Sequence, residues 1–296
     1  MGQSSLKNIF DYEGLTKDLN WSKVSFIIWD LDGTLSPESP VTEKITNEAF
    51  TMVFREFLED QNVSLDPEDL IALTKDDETG KKFEERALVQ AMSDCIDVSE
   101  FLTPDYHNRL HDAMISLAQM HGLPEYCDQT YNALRHLAPI KKQYILTHSS
   151  KQWTDFVIEQ MQLPGFEDDH HIYDYERVGY KSKATGPDPF LQVCEEHNLN
   201  PEFGLFVDNS PDNLVAAAQI GLQTILVTGD NDLVRSPLSF INGHVRSAAE
   251  IGRQYRLHCA LQPEHQPDMS EINKRERTSV RDELFERASA VPTQPS

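Results

Sequence analysis

In FIIWDLDGTL (26–35), four bulky apolar residues run into Asp30 and Asp32, followed by Gly33 and Thr34. An extended chain points residues i and i+2 to the same side, so the two carboxylates project together. Like charges this close repel unless a proton or a cation joins them. Two hard oxygen ligands suit Mg²⁺, which keeps several waters and shares substrate phosphate. Gly33 lets the backbone turn sharply beside them. Three other segments carry related chemistry. YILTHSS (144–150) ends an apolar run in Thr147, His148 and Ser149 just before a helical pattern, and hydroxyls beside free helix N–H groups form an anion site. GYKSKATGPDPF (179–190) offers Lys181 and Lys183 ahead of a helix start. FVDNSPDN (206–213) ends another apolar run in Asp208, Asn209 and Asp212. Brought to one crevice, these acidic, hydroxyl and ammonium groups can hold a cation together with a phosphoryl group.

The flanking patterns say what must position them. VSFIIWD (24–30), KQYILTH (142–148), EFGLFVDN (202–209) and LQTILVTG (222–229) are continuous apolar runs rather than alternating ones. That is the mark of strands covered on both faces, as in a parallel sheet. Helical spacing fills the gaps at WTDFVIEQMQL (153–163), DPFLQVCEEHNL (188–199) and SPDNLVAAAQIGL (210–222). Strand alternating with helix predicts an α/β doubly wound parallel sheet, in which ligands bind outside the carboxyl ends of the strands. Residues 41–122 break the rhythm: ITNEAFTMVFREFLED, KFEERALVQAMSDCI and PDYHNRLHDAMISLAQMHGL read as helices with no strand between them. The expected organisation is a core from 1–40 and 123–261, an all-helical inserted cap at 41–122, and a disordered tail at 262–296 that is rich in Gln, Pro, Glu and Arg.

Composition removes several classes of function. The chain has 296 residues, with 26 basic against 49 acidic ones and a net charge of −23. Such an acidic balance argues against a nucleic-acid surface or docking on an anionic membrane. No apolar run approaches a membrane span, and MGQSSLKNIFDYEGL lacks the apolar centre of a signal peptide. Gly2 invites a myristoylation reading, but Leu6 stands where that motif needs Ser or Thr. Cys95, Cys127, Cys194 and Cys259 form no CxxC and read as reduced thiols of a cytoplasmic protein. An EF-hand reading of Asp30 and Asp32 fails, because the loop's twelfth position is Val41 and its glycine is fourth. There is no GxGxxG and no P-loop. Asp168, Asp169, His170 and His171 read as an exposed loop. His107, His111 and His121 read as surface histidines, Phe50, Phe54 and Phe57 as a helix core stripe, and Asp76, Asp77 and Glu78 as a solvated loop.

Taken as a set, the four chemical segments resemble the haloacid dehalogenase superfamily of phosphohydrolases. WDLDGTL matches the family's hydrophobic strand followed by DxDGT, and ILTHSS the strand ending in a hydroxyl residue. The lysine before a PDPF-like segment and FVDNSPDNLVAAAQIG match the remaining two motifs. The resemblance covers about 24–36 and 123–255, and the insert lies where the family places a C1-type cap. It implies a Rossmann-like core and a Mg²⁺-dependent phosphatase of the phosphoglycolate phosphatase or pyrimidine nucleotidase kind, acting on a small phosphorylated metabolite. By resemblance, Asp30 is the nucleophile that becomes an aspartyl-phosphate. Asp32 is the general acid and later the base. Thr147 binds the phosphoryl group, with His148 and Ser149 beside it, and a lysine neutralises its charge. Mg²⁺ is held by Asp30, the main-chain carbonyl of Asp32, and Asp208.

Three positions depart from that pattern. Gly186 stands where the family has its lysine, so Lys183, with Lys181 as the alternative, must reach back. Asn209 follows Asp208 in place of a second acid, leaving Asn209 or Asp212 to complete the metal set. His148 replaces the commoner asparagine. Asp32 favours phosphate ester hydrolysis over dehalogenation, which needs no second aspartate. A phosphosugar mutase, or a catalytically weak binding or regulatory protein of the same fold, are the alternatives. Substrate identity and oligomeric state are not legible in the sequence.

Overall fold

The computed structural model describes residues 19–60, 103–122, 128–137, 141–166, 168–229 and 239–261. The expected tail at 262–296, the helical pattern at KFEERALVQAMSDCI, Asp76, Asp77, Glu78, Cys95 and Cys127 lie outside the described residues. The described elements run β1 (Phe26–Trp29), α1 (Pro40–Asp60), α2 (Pro104–His121), α3 (Asp128–Leu137), β2 (Lys142–Leu146), α4 (Lys151–Met161), β3 (Ile172–Tyr173), α5 (Asp188–Glu196), β4 (Gly204–Asp208), α6 (Pro211–Gln219), β5 (Gln223–Val227), β6 (Gly243–Val245) and α7 (Ala248–Leu261). Six strands form one sheet in the order β3-β2-β1-β4-β5-β6, and every pairing is parallel.

The continuous apolar runs are explained by where their two sets of side chains go. Ile27, Trp29, Ile145, Leu205, Val207 and Ile225 pack on one face with Trp153 and Val157 of α4, Leu134 of α3, and Ile251 of α7. Phe26, Ile28, Tyr144, Leu146 and Phe206 pack on the other face with Phe190 and Val193 of α5 and Leu214 of α6. Both faces are covered by helices, which is why the strands read as continuous apolar runs rather than alternating ones. The doubly wound α/β architecture is therefore as expected. Three described helices, α1, α2 and α3, lie between β1 and β2 in sequence; α1 and α2 pack against each other, with an Arg109–Glu56 ion pair and a His121–Glu48 contact of 3.4 Å across them. Phe50 and Phe54 stack at 5.2 Å between ring centroids and are buried. No helix among the described residues is long and apolar enough to cross a membrane.

β1 is the central strand, paired with β2 on one side and β4 on the other. The strand order reverses between β1 and β4, which makes their carboxyl ends a topological switch point, the place where open α/β sheets bind ligands.

Candidate active site

Register brings the acids together. Trp29 is level with both Ile145 and Val207, so the next residue, Asp30, emerges between the end of β2 and Asp208, the last residue of β4. The Asp30 N–H continues the ladder by donating to the Val207 carbonyl at 2.9 Å. From the loop between β3 and α5, Lys183 reaches across the end of the sheet. Its Nζ donates to Asp30 Oδ1 at 2.5 Å, to Asp208 Oδ2 at 3.1 Å and to the Leu146 carbonyl at 3.0 Å. Lys183 is 1% exposed, Asp208 0% and Asp30 6%. Lys181 is exposed and pairs with Asp188 instead.

A charge trio without water is costly unless each member is matched. Burial pulls the Lys183 pKa down, but Asp208 and Asp30 outweigh it and hold that pKa above the usual lysine value. Asp30 is pushed up to about 7, first by burial and then by Asp208, with Lys183 pulling the other way. Thr34 Oγ1 donates to the other Asp30 oxygen at 3.2 Å. With both carboxylates ionised, the one ammonium leaves one surplus negative charge at the sheet end.

Asp32 is held apart from that trio. Its Oδ1 accepts from the Trp153 indole at 2.9 Å and its Oδ2 from Ser149 Oγ at 2.6 Å. Burial raises its pKa, while these two donors oppose the rise. Ser149 thus turns its hydroxyl to Asp32. Thr147, buried at the end of β2, donates its N–H to the Tyr173 carbonyl at 2.9 Å and accepts the Ser149 N–H on Oγ1 at 3.1 Å. The Thr147–Ser149 segment leads into α4, which is capped by Ser150.

The three remaining expected positions separate. Asp208 Oδ1 accepts the Ser210 N–H at 2.7 Å, and its Oδ2 accepts from Asn213 Nδ2 at 2.9 Å. Asp212 lies exposed on the first turn of α6 and does not join Asp30 and Asp208, and among the described residues no three His, Cys, Asp or Glu side chains form a metal-holding group. Asn209 instead packs against Gly33, its amide nitrogen 3.5 Å from Glu38 Oε1. Gly33 has φ +79°, and a Cβ there would fall on the Asn209 amide. Gly33→Ala is therefore expected to destabilise the fold by about 2 kcal/mol, through left-handed backbone strain plus this clash, in chemical denaturation.

Several contacts of the site depart from the sequence expectation. His107 and His111 are not surface histidines. His111 is buried in α2, and its Nδ1 accepts the Ser150 N–H at 3.2 Å. His107 Nε2 donates to the His148 carbonyl at 2.8 Å. Their rings meet edge-on at 4.3 Å. A histidine pair four apart on an otherwise amphipathic helix was the available hint, but nothing in sequence said which surface it would meet. Burial, and secondarily His107, holds His111 well below the usual histidine pKa, so the folded chain keeps it neutral. An unfolded histidine takes a proton below about pH 6.5, so the stability tied to this contact is complete above that pH and is lost as the pH falls. His111→Asn, which keeps an acceptor near the Nδ1 position, is expected to show a smaller drop in melting temperature between pH 7 and pH 5 than the parent protein.

The haloacid dehalogenase-like hydrolase family matches residues 24–221 of the chain. That span runs from just before β1 past the end of α6 and includes every candidate site residue placed above. The chain belongs to this family. Solved structures share the haloacid dehalogenase-like fold. CbbY from Rhodobacter sphaeroides in complex with phosphate aligns with TM-score 0.55 at 17% identity, over 77% of this chain and 96% of that one. A mutant of CbbY in complex with xylulose-(1,5)bisphosphate aligns with TM-score 0.55 at 18% identity, over 77% and 96%. A family IA, variant 3 hydrolase from Entamoeba histolytica aligns with TM-score 0.56 at 14% identity, over 78% and 99%. No curated protein sequence matches the chain.

For a haloacid dehalogenase-like hydrolase, the arrangement offers a carboxylate fixed by register, a buried ammonium beside it, and a second carboxyl group held by two donors. The chemistry this suits is displacement at an electrophilic centre followed by hydrolysis.

Proposed function

We propose that the chain is a Mg²⁺-dependent phosphatase that hydrolyses a small phosphorylated metabolite through an aspartyl-phosphate on Asp30. The observation that carries this reading is the convergence of Asp30 and Asp208 on one cation, the Lys183 ammonium, at the switch point of the sheet. The two carboxylates and one ammonium sum to one net negative charge, which would repel a phosphate dianion. Their hard oxygen donors and that residual charge suit a divalent ion such as Mg²⁺, held by Asp30 and Asp208 with the Asp32 main-chain carbonyl as a further ligand. When bound, it would neutralise charge between the carboxylate and the phosphoryl group.

The residues of the chain then divide the work. Asp30 attacks phosphorus and the leaving oxygen departs as the P–O bond breaks. Asp32, whose pKa is raised by burial, gives that oxygen a proton and afterwards takes one from the water that cleaves the acyl-phosphate. Lys183 and Thr147 offset the charge on the phosphoryl oxygens. The acidic composition fits a small substrate rather than a polyanion. The phosphate and xylulose-(1,5)bisphosphate bound by the CbbY structures favour a phosphorylated sugar or a comparable small ester.

The test is phosphate release from a panel of an aryl phosphate, sugar phosphates, phosphoglycolate and nucleoside monophosphates, with Mg²⁺ and with a chelator. Release that depends on Mg²⁺ is expected for at least one ester. A chain that releases phosphate from none of them would overturn the reading.

A further inference from the structure

Lys183 must be held at two points, since its ammonium sits at the end of a long flexible stem. The second point is its own backbone. The Lys183 N–H donates to His148 Nε2 at 2.7 Å. That bond fixes the tautomer: Nε2 is the acceptor, so the ring proton is on Nδ1. The His148 carbonyl in turn accepts from His107 Nε2 at 2.8 Å, and His107 stands on α2, one of the helices inserted between β1 and β2. Tyr175 lies against both rings, 5.1 Å from His107 and 5.4 Å from His148, and its N–H donates to the Ser149 carbonyl at 3.0 Å. One turn further along the same helix, His111 Nδ1 accepts the Ser150 N–H. The segment 147–150 is thus clamped on one side by the inserted helix and on the other by the lysine loop.

From this geometry we infer that His107 and His148 are positioning residues, a relay that makes the placement of Lys183 conditional on the docking of α2. His148 is the switch point of the relay, because its ring faces the lysine loop while its carbonyl faces the helix. The seating of α2 therefore sets the backbone from which the buried ammonium is hung. The kinetic part of this inference rests on the phosphatase reading, but the structural part does not.

Four variants of the full chain test it. His148→Leu removes the acceptor for the Lys183 N–H, whereas His148→Gln restores an acceptor oxygen at similar reach. His107→Leu removes the donor, whereas His107→Gln restores one. Amide hydrogen exchange of peptides covering 179–186 reads the lysine loop directly. Both leucine variants are expected to speed exchange there by at least about tenfold. They should also lower kcat by roughly tenfold with KM changed far less, because misplacing a charge that stabilises the transition state costs rate rather than binding. The glutamine variants should recover most of both losses. If His107→Leu fails to fold, His107→Phe, which keeps the ring packing on Tyr175 and His111, replaces it. Unchanged exchange in the leucine variants would overturn the relay. So would faster exchange with unchanged kcat, or equal loss in the leucine and glutamine variants. If the parent protein releases phosphate from no ester, the phosphatase reading fails separately, and the exchange comparison alone decides whether α2 holds the lysine loop.

Discussion

An Asp30→Asn variant is expected to lose phosphate ester turnover by about 10⁴-fold while melting no lower than the parent protein. The loss follows from the proposed role, since an amide cannot attack phosphorus to give an acyl-phosphate. The stability outcome follows from burial. Asp30 and Asp208 are like charges at adjacent strand ends with a single ammonium between them. A carboxyl group pushed up to about 7 by burial and by Asp208 binds its proton more tightly when folded than when unfolded. The sign is then fixed: stability falls as pH rises from the ordinary aspartate range towards 7, and the penalty is fully present above it. Asparagine is neutral at every pH and still offers an oxygen to Lys183, leaving one ammonium matched to one carboxylate. In chelator at pH 8, the variant is expected to melt a few degrees higher than the parent. A melting temperature well below the parent's would mean that Asp30 supports the fold rather than standing against it, and the reading of a destabilised attacking group would be lost.

How much of this was legible in the sequence depended on the distance over which each signal acts. β1 was readable because a run of four apolar residues between polar flanks has few destinations other than a strand covered on both faces. The site at its end was readable because Asp30 and Asp32 are fixed by that strand's direction. Lys183 could be set ahead of Lys181 but not placed, because its partners lie 153 and 25 residues away. Asp212 and Asn213 show the limit set by helix phase. Consecutive helical residues point about 100° apart, so which one faces Asp208 depends on the residue at which α6 begins. With Pro211 as the first helical residue, Asn213 turns inward and Asp212 outward. Trp153 and Asp32 are 121 residues apart and meet only because α4 packs against the sheet face below. His107 could not be assigned to the His148 carbonyl without knowing where α2 lands. In each case the residue type was visible and the partner was not, since tertiary pairing is set by the packing of whole elements.

The largest stability effect is expected at Lys183. Lys183→Met keeps the stem's volume and removes the ammonium, leaving Asp30 and Asp208 buried side by side with no opposite charge. Removing one member of a buried charge network costs about 3–5 kcal/mol, because what remains is an uncompensated charge. The backbone carbonyl of Leu146 also loses its donor. Turnover of any accepted ester should fall by about 10²–10³-fold, the usual effect of deleting a group that stabilises transition-state charge. The double variant with Asp30→Asn should recover part of the lost stability, since only Asp208 then remains charged, and Asp208 keeps its bonds from the Ser210 N–H and Asn213. Added Mg²⁺ supplies a further discrimination. A ligand that binds only the folded chain raises stability by mass action. If Asp30 and Asp208 are built to share a cation, millimolar Mg²⁺ should raise the melting temperature of Lys183→Met more than that of the Asp30→Asn, Lys183→Met pair. Equal shifts in the two proteins would place the ion elsewhere. A Lys183→Met protein as stable as the parent in chelator would show that these carboxylates do not need the ammonium, and the central argument for a cation shared by two strand ends would fall with it.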